Sequence, residues 1–179
     1  MKNTFDVALS FAMEDSDLVE TVYYYLKAEE LSVFYAPVPE CQSILSGKNQ
    51  REVFYRIFGK EAGYVVLFVS KDYVVKPVPM EEARIAFSKH AGNGTVIPVY
   101  IDGTALPKEL LDPRKMNYFS SNDAAAIASH VAAKIEDEKR DAKKKSAKKN
   151  LADGANVMNV GGNTGGTQFF IQNYNGEQG

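Results

Sequence analysis

Two adjacent carboxylates, Glu81 and Glu82, stand in "VSKDYVVKPVPMEEAR" (69–84), behind an unbroken apolar run and a pair of prolines. An ionised carboxylate so placed can accept hydrogen bonds from a ligand's hydroxyls and stabilise nearby positive charge. The competing reading is structural. Acids in a helix's first turn are favoured by the positive end of its dipole, which also favours their ionised form. The residue types leave both readings, and both glutamates, open.

Other chemistries find little support. The single cysteine, Cys41, has no partner for an intramolecular disulfide and no evident base to activate it, so it reads as an inert thiol. His90 and His130, far apart in sequence, do not suggest a zinc site.

Four short apolar runs must position the carboxylates: "FDVALSF" (5–11), "LSVFYA" (31–36), "GYVVLFVS" (63–70) and "GTVIPVYI" (94–101). Their length and their Val, Ile, Phe and Tyr content predict strands. Between them lie helical patterns. Leu18, Val22 and Leu26 recur every four residues behind Asp17 and Glu20, which have capping-box spacing. "PVPECQSILSG" reads as a loop, and "KNQREVFYRIF" carries a stripe of Val53, Phe54, Ile57 and Phe58. A third helix is expected to start near Pro79, and "NYFSS" (117–121) to add a fifth strand before a helix capped by Asn122 or Asp123.

Strands alternating with helices predict a parallel α/β sheet covered on both faces. In such sheets ligands bind beyond the carboxyl ends of the strands, where the strand order reverses. For an order 2-1-3-4-5 the exits that flank this point are "SFAMED" (10–15) and "SKDYVVKPVPMEE" (70–82). The glutamates therefore fall where the architecture would hold a ligand.

Composition fits this layout, with 45% apolar and 25% charged residues giving one well-buried domain and a short appendage. Net charge is −2, which offers no general attraction to nucleic acid or membrane. Acids outnumber bases over residues 1–133, and bases predominate over 134–149. That basic segment reads as a helical stalk continuing from "AAAIASHVAAKI" to about Lys149; with no interleaved aromatics, it does not suggest nucleic-acid binding. Residues 151–179 are rich in Gly and Asn, yet contain "TQFFIQNY", a strand-like run able to pair with its own copy, so a disordered tail and an oligomerisation segment both stay open. No signal peptide is evident and no apolar run reaches the ~20 residues of a membrane span, so a cytoplasmic location is expected.

"FDVALSFAMED", "LSVFYA", a loop ending at Gly47, "VVLFVSKDYVVKPVPMEEARIAF" and "VIPVYID" together resemble, in order and spacing over roughly residues 4–133, the bacterial branch of the Toll/interleukin-1 receptor (TIR) domain family. The resemblance implies a flavodoxin-like five-stranded parallel sheet of order 2-1-3-4-5 with helices on both faces, here with an extended C-terminal helix and tail. It implies an enzyme that cleaves NAD as its substrate, with no resident cofactor or metal, acting in anti-phage immunity once assembled.

The family's catalytic Glu follows an aromatic residue, usually Trp, by four positions, which implies Glu82 as the catalyst and Val78 at the Trp position. Glu81 is then a neighbouring solvated or capping acid. By the same carry-over Ser10 and Phe11 line the nucleotide pocket, Gly47 ends a segment that folds over it, and Tyr73 supplies the aromatic face missing at Val78. The implied partners are NAD, further copies in an oligomer or filament, and a sensor protein. A non-catalytic TIR scaffold is the alternative that Val78 suggests.

Overall fold

The computed structural model describes residues 3–112 and 114–156. Five parallel strands form one sheet: β1 (Phe5–Ser10), β2 (Val33–Phe34), β3 (Ala62–Val69), β4 (Val96–Tyr100) and β5 (Phe119–Ser120), in the order β2-β1-β3-β4-β5. The strands are apolar almost throughout because both sheet faces are covered. Side chains on a strand alternate between faces. Thus Val65, Leu67 and Val69 of β3 join one core cluster, while Tyr64, Val66 and Phe68 join the other.

The second cluster is covered by α1 (Ser16–Ala28), through Val19, Val22 and Leu26, and by α6 (Ala124–Asn156), through Ile127, Val131 and Ile135. Asp123 caps α6, its Oδ1 accepting from the Ala126 amide at 2.7 Å, which resolves the choice between Asn122 and Asp123. The start of α1 corrects the capping-box reading. A 3₁₀ turn at Met13–Asp15 feeds the helix, so Asp17 lies inside its first turn rather than at the cap.

The first cluster is covered by α2 (Pro39–Leu45), α3 (Gln50–Arg56), α4 (Lys71–Val75) and α5 (Pro77–His90). α2 stands where a loop was expected. Pro39 occupies its first turn, where a missing N–H costs nothing, and Cys41 is its buried anchor. α3 runs into a π-helical turn, Ile57–Glu61, which buries Ile57 and Phe58. Ser70 caps the short α4 by accepting from the Tyr73 amide at 3.1 Å, and donates to Asp15 Oδ2 at 2.6 Å.

α5 begins at Pro77, two residues earlier than expected, and this moves Glu81 and Glu82 from the first turn to the second. Little dipole stabilisation reaches that far.

The chain divides into two compact units, Met1–Arg140 and Asp141–Gly179. In the first, Tyr64 donates to Glu138 at 2.6 Å and Lys139 lies 3.4 Å from Asp6. In the second, helix continues past Lys149 to Asn156, so residues 151–156, expected in the tail, are helical. The "TQFFIQNY" segment lies outside the described residues. No helix among the described residues is long and apolar enough to cross a membrane.

Candidate active site

The phase of α5 separates the two glutamates. Met80, Glu82, Ala83, Ala86 and His90 fall on its buried side, as a 3.6-residue period requires, and Ala83 and Ala86 are fully buried. Glu82 is therefore carried inward, 7% exposed, beneath the end of β1. Glu81 is one step round the helix and pairs with Arg51 of α3 at 2.6 Å. It is a surface ion-pair partner, not a helix cap.

Ser10 is the last residue of β1 and faces α5. Its hydroxyl donates to Glu82 Oε2 at 2.5 Å and lies 2.7 Å from the Tyr73 hydroxyl. When Glu82 is ionised the one serine proton goes to the carboxylate, and Tyr73 then donates to Ser10. A chain Tyr73 Oη–Ser10 Oγ–Glu82 Oε2 thus links α4, β1 and α5. Among the described residues no donor meets Glu82 Oε1.

Burial in apolar surroundings pushes the Glu82 carboxyl up to about 8, despite the opposing hydrogen bond from Ser10. The expected preference for the ionised form is thus reversed: in the second turn, desolvation outweighs the dipole. Tyr73, buried and beside this carboxyl, is held far above its usual range and stays a donor.

Above Glu82 opens a cavity of about 380 Å³ at the carboxyl end of the sheet. Phe11, Phe34, Phe54 and Phe58 form apolar walls; Gln50, Lys76 and Val78 stand with them. Phe11 stacks on Tyr35 at 5.4 Å, and Tyr35 on Tyr23 at 5.0 Å, so a row of rings backs the wall that Phe11 presents. Such a volume with a few convergent polar groups suits a small-molecule ligand.

The structure distributes the six expected site residues unevenly. Glu82, Phe11 and Val78 line the cavity, and Ser10 binds Glu82 from behind. Tyr73 is fully buried and offers no ring face to a ligand; its hydroxyl, not its ring, reaches the site. Gly47, with φ +70°, turns the chain after α2 and is not among the lining residues, whereas Leu45 and Gln50 on either side of it are. Sequence reasoning passed over Gln50 and Lys76, and took Phe54 and Phe58 as core alone. Cys41 is buried and its thiol pushed up by desolvation, in keeping with an inert side chain.

The model of the TIR-domain family matches residues 7–136, which take in the sheet from Val7 of β1 onward and every residue of this site. The chain belongs to the TIR-domain family. A 3′ cyclic ADP-D-ribose synthase, AaTIR of Aquimarina amphilecti, is 37% identical over 113 residues, 60% of this chain and 34% of that protein. The present chain therefore matches about a third of that relative's length. Among solved structures, the TIR domain of the Toll-related receptor TRR-2 from Hydra magnipapillata superposes with a TM-score of 0.57 at 16% identity, over 74% of this chain and 99% of that one. That likeness is one of TIR fold.

Proposed function

We propose that this TIR domain cleaves the bond between ribose and nicotinamide in NAD, with Glu82 as the catalytic residue. One observation carries the reading: a carboxyl fixed by a Ser10 hydrogen bond at the floor of an apolar cavity, at the strand exits of a TIR fold. The synthase named above, whose product is a cyclic ADP-ribose, supports the substrate class.

The chemistry asks for one carboxylate. The C1′–N bond breaks with its electron pair leaving on nicotinamide, which departs neutral and needs no proton, so the second carboxylic acid of ordinary glycosidases is dispensable. Positive charge develops on the ribose, and an ionised Glu82 stabilises it through its field and by accepting from ribose hydroxyls at Oε1. Entry of the pyridinium cation favours the ionised form of Glu82, as an opposite charge does. Water then adds at C1′ and releases a proton, giving ADP-ribose, or an internal nucleophile closes a ring.

Phe11 provides the stacking face for a ring of the substrate, and Ser10 and Tyr73 are positioning residues behind the carboxyl. Assembly of several copies activates the enzyme, and NAD loss or a nucleotide product serves anti-phage defence in the cytoplasm. A second reading, a non-catalytic interaction module, is favoured by Val78 in place of Trp and by the exposed apolar residues of the cavity lining, Met13 at 64% and Val78 at 40%.

Concentrated protein incubated with NAD separates the two. Nicotinamide release is expected from the wild type, reduced at least a hundredfold, roughly the size of one lost electrostatic contact, in Glu82→Gln and retained in Glu81→Gln. Silence from the assembled wild type would leave the scaffold reading. Loss in Glu81→Gln alone would move the catalyst by one residue.

A further inference from the structure

Lys76 brings a positive charge to the cavity wall, and its backbone is fixed before any ligand arrives. It joins α4 to α5 immediately ahead of Pro77, and a residue before proline is confined to extended conformations. Lys76 has φ −94° and ψ 133°. Its amide donates to the Tyr73 carbonyl and its own carbonyl accepts from Met80, each at 3.3 Å. From this anchored start Lys76 lines the cavity, and its Nζ meets both carboxylate oxygens of Glu14, which is not itself a lining residue. Glu14 belongs to the turn Met13–Asp15 that follows β1, and Met13 beside it also lines the cavity.

Among the described lining residues, Lys76 is the one cation and Glu82 the one carboxyl. Glu82 is buried and the Lys76 side chain partly exposed, so once Glu82 ionises the negative charge lies deep and the positive charge outward. NAD has the complementary order. Its pyridinium cation adjoins the scissile bond, and its doubly negative pyrophosphate lies one ribose away.

We infer that Lys76 binds the pyrophosphate of the dinucleotide, and that Glu14 is an internal anion occupying Lys76 while the site is empty. The inference rests on the NAD-cleaving reading and goes beyond it by naming what distinguishes a dinucleotide from a nucleoside. The exchange is favourable in direction. An exposed ion pair is weakly held, and a released Glu14 returns to water, whereas a pyrophosphate brings two charges and several acceptor oxygens to an ammonium that acts as a point charge. The occupied Lys76 also keeps the empty rim close to neutral, so monoanions gain little by entering.

The test compares wild type, Lys76→Met, Lys76→Arg and Glu14→Gln by calorimetric binding of two probes, ADP-ribose, which has the pyrophosphate, and nicotinamide riboside, which has none. Lys76→Met is expected to weaken ADP-ribose about tenfold or more, the size of one charge-assisted hydrogen bond, and to leave nicotinamide riboside unchanged. Lys76→Arg should retain ADP-ribose affinity, and Glu14→Gln should strengthen it. In turnover the Lys76→Met loss should fall on KM for NAD with kcat little altered.

Equal ADP-ribose affinity in wild type and Lys76→Met, with both folded by thermal unfolding, overturns the inference. So does equal weakening of both probes, which would mean a distorted cavity. A wild type that binds ADP-ribose through Lys76 but releases no nicotinamide would refute the catalytic reading and leave the pyrophosphate site standing.

Discussion

Glu82 is neutral in the empty site at neutral pH, and this has a thermodynamic signature. Its carboxyl titrates near 8 in the folded protein, against 4.5 for the free group. Between these values the unfolded chain has already lost the proton that the folded chain keeps, so unfolding releases a proton. Stability attributable to this residue is therefore flat below about 4.5, falls as pH rises from there to about 8, and is flat again above. Glu82→Gln, neutral throughout, should match the wild type at pH 4 and exceed it by a few kcal/mol near pH 8. Denaturant titrations at both pH values check this; parallel profiles would place Glu82 in a wetter setting. In the same range kcat/KM for NAD should rise with pH, since the free enzyme must lose that proton to act.

α5 is the element on which the site depends, and small side chains set its height above the sheet. Ala83, next to Glu82 in sequence, and Ala86, one turn further on, are fully buried on its side of the helix. Ala83→Leu should cost about 1–3 kcal/mol by overpacking and lower Tm. It should also reduce nicotinamide release more than the stability loss explains, by lifting Glu82 from Ser10; full activity at lowered Tm would show that the site tolerates the shift.

How much could be read in advance also follows from the elements. β1, β3 and β4 were legible because burial on both faces makes a strand uniformly apolar, and the strand exits then located the site. α2 was hidden because Pro37 and Pro39 signal a turn as readily as a helix start, and its buried contact is one cysteine. Residue types alone left Glu82 and Glu81 open and the resemblance implied Glu82; which of the two is buried follows only from the phase that the start of α5 sets. Tyr73 was misassigned because a motif tells where a tyrosine stands in the chain and not which end of it faces the ligand. Lys76 carried no signal at all: a lysine before proline acquires meaning only beside Glu14, which is distant in sequence and close in space.

At the scale of the molecule, the unit Met1–Arg140 contains the sheet, both clusters and the α6 contacts through Ile135, Glu138 and Lys139. A chain ending after Arg140 should therefore keep the Tm of the full chain within a few degrees. We propose in addition that the segment beyond Asn150, with "TQFFIQNY", drives self-association. Light scattering of a chain ending after Asn150 should then report a lower mass than the full chain at equal Tm. An unchanged mass would remove the tail from assembly, and a fallen Tm would extend the folding unit past Arg140.

The row of rings behind Phe11 has an optical consequence. The protein has no tryptophan, so its near-ultraviolet spectrum belongs to tyrosine and phenylalanine. Tyr35 and Tyr23 are stacked in line with the cavity wall, and any ring that settles on Phe11 joins that stack and alters its dichroism. A Val78→Trp variant would carry a single indole at the mouth, excitable where the tyrosines are silent. The molecule thus has a dark background against which occupancy of its cavity can be watched without a label.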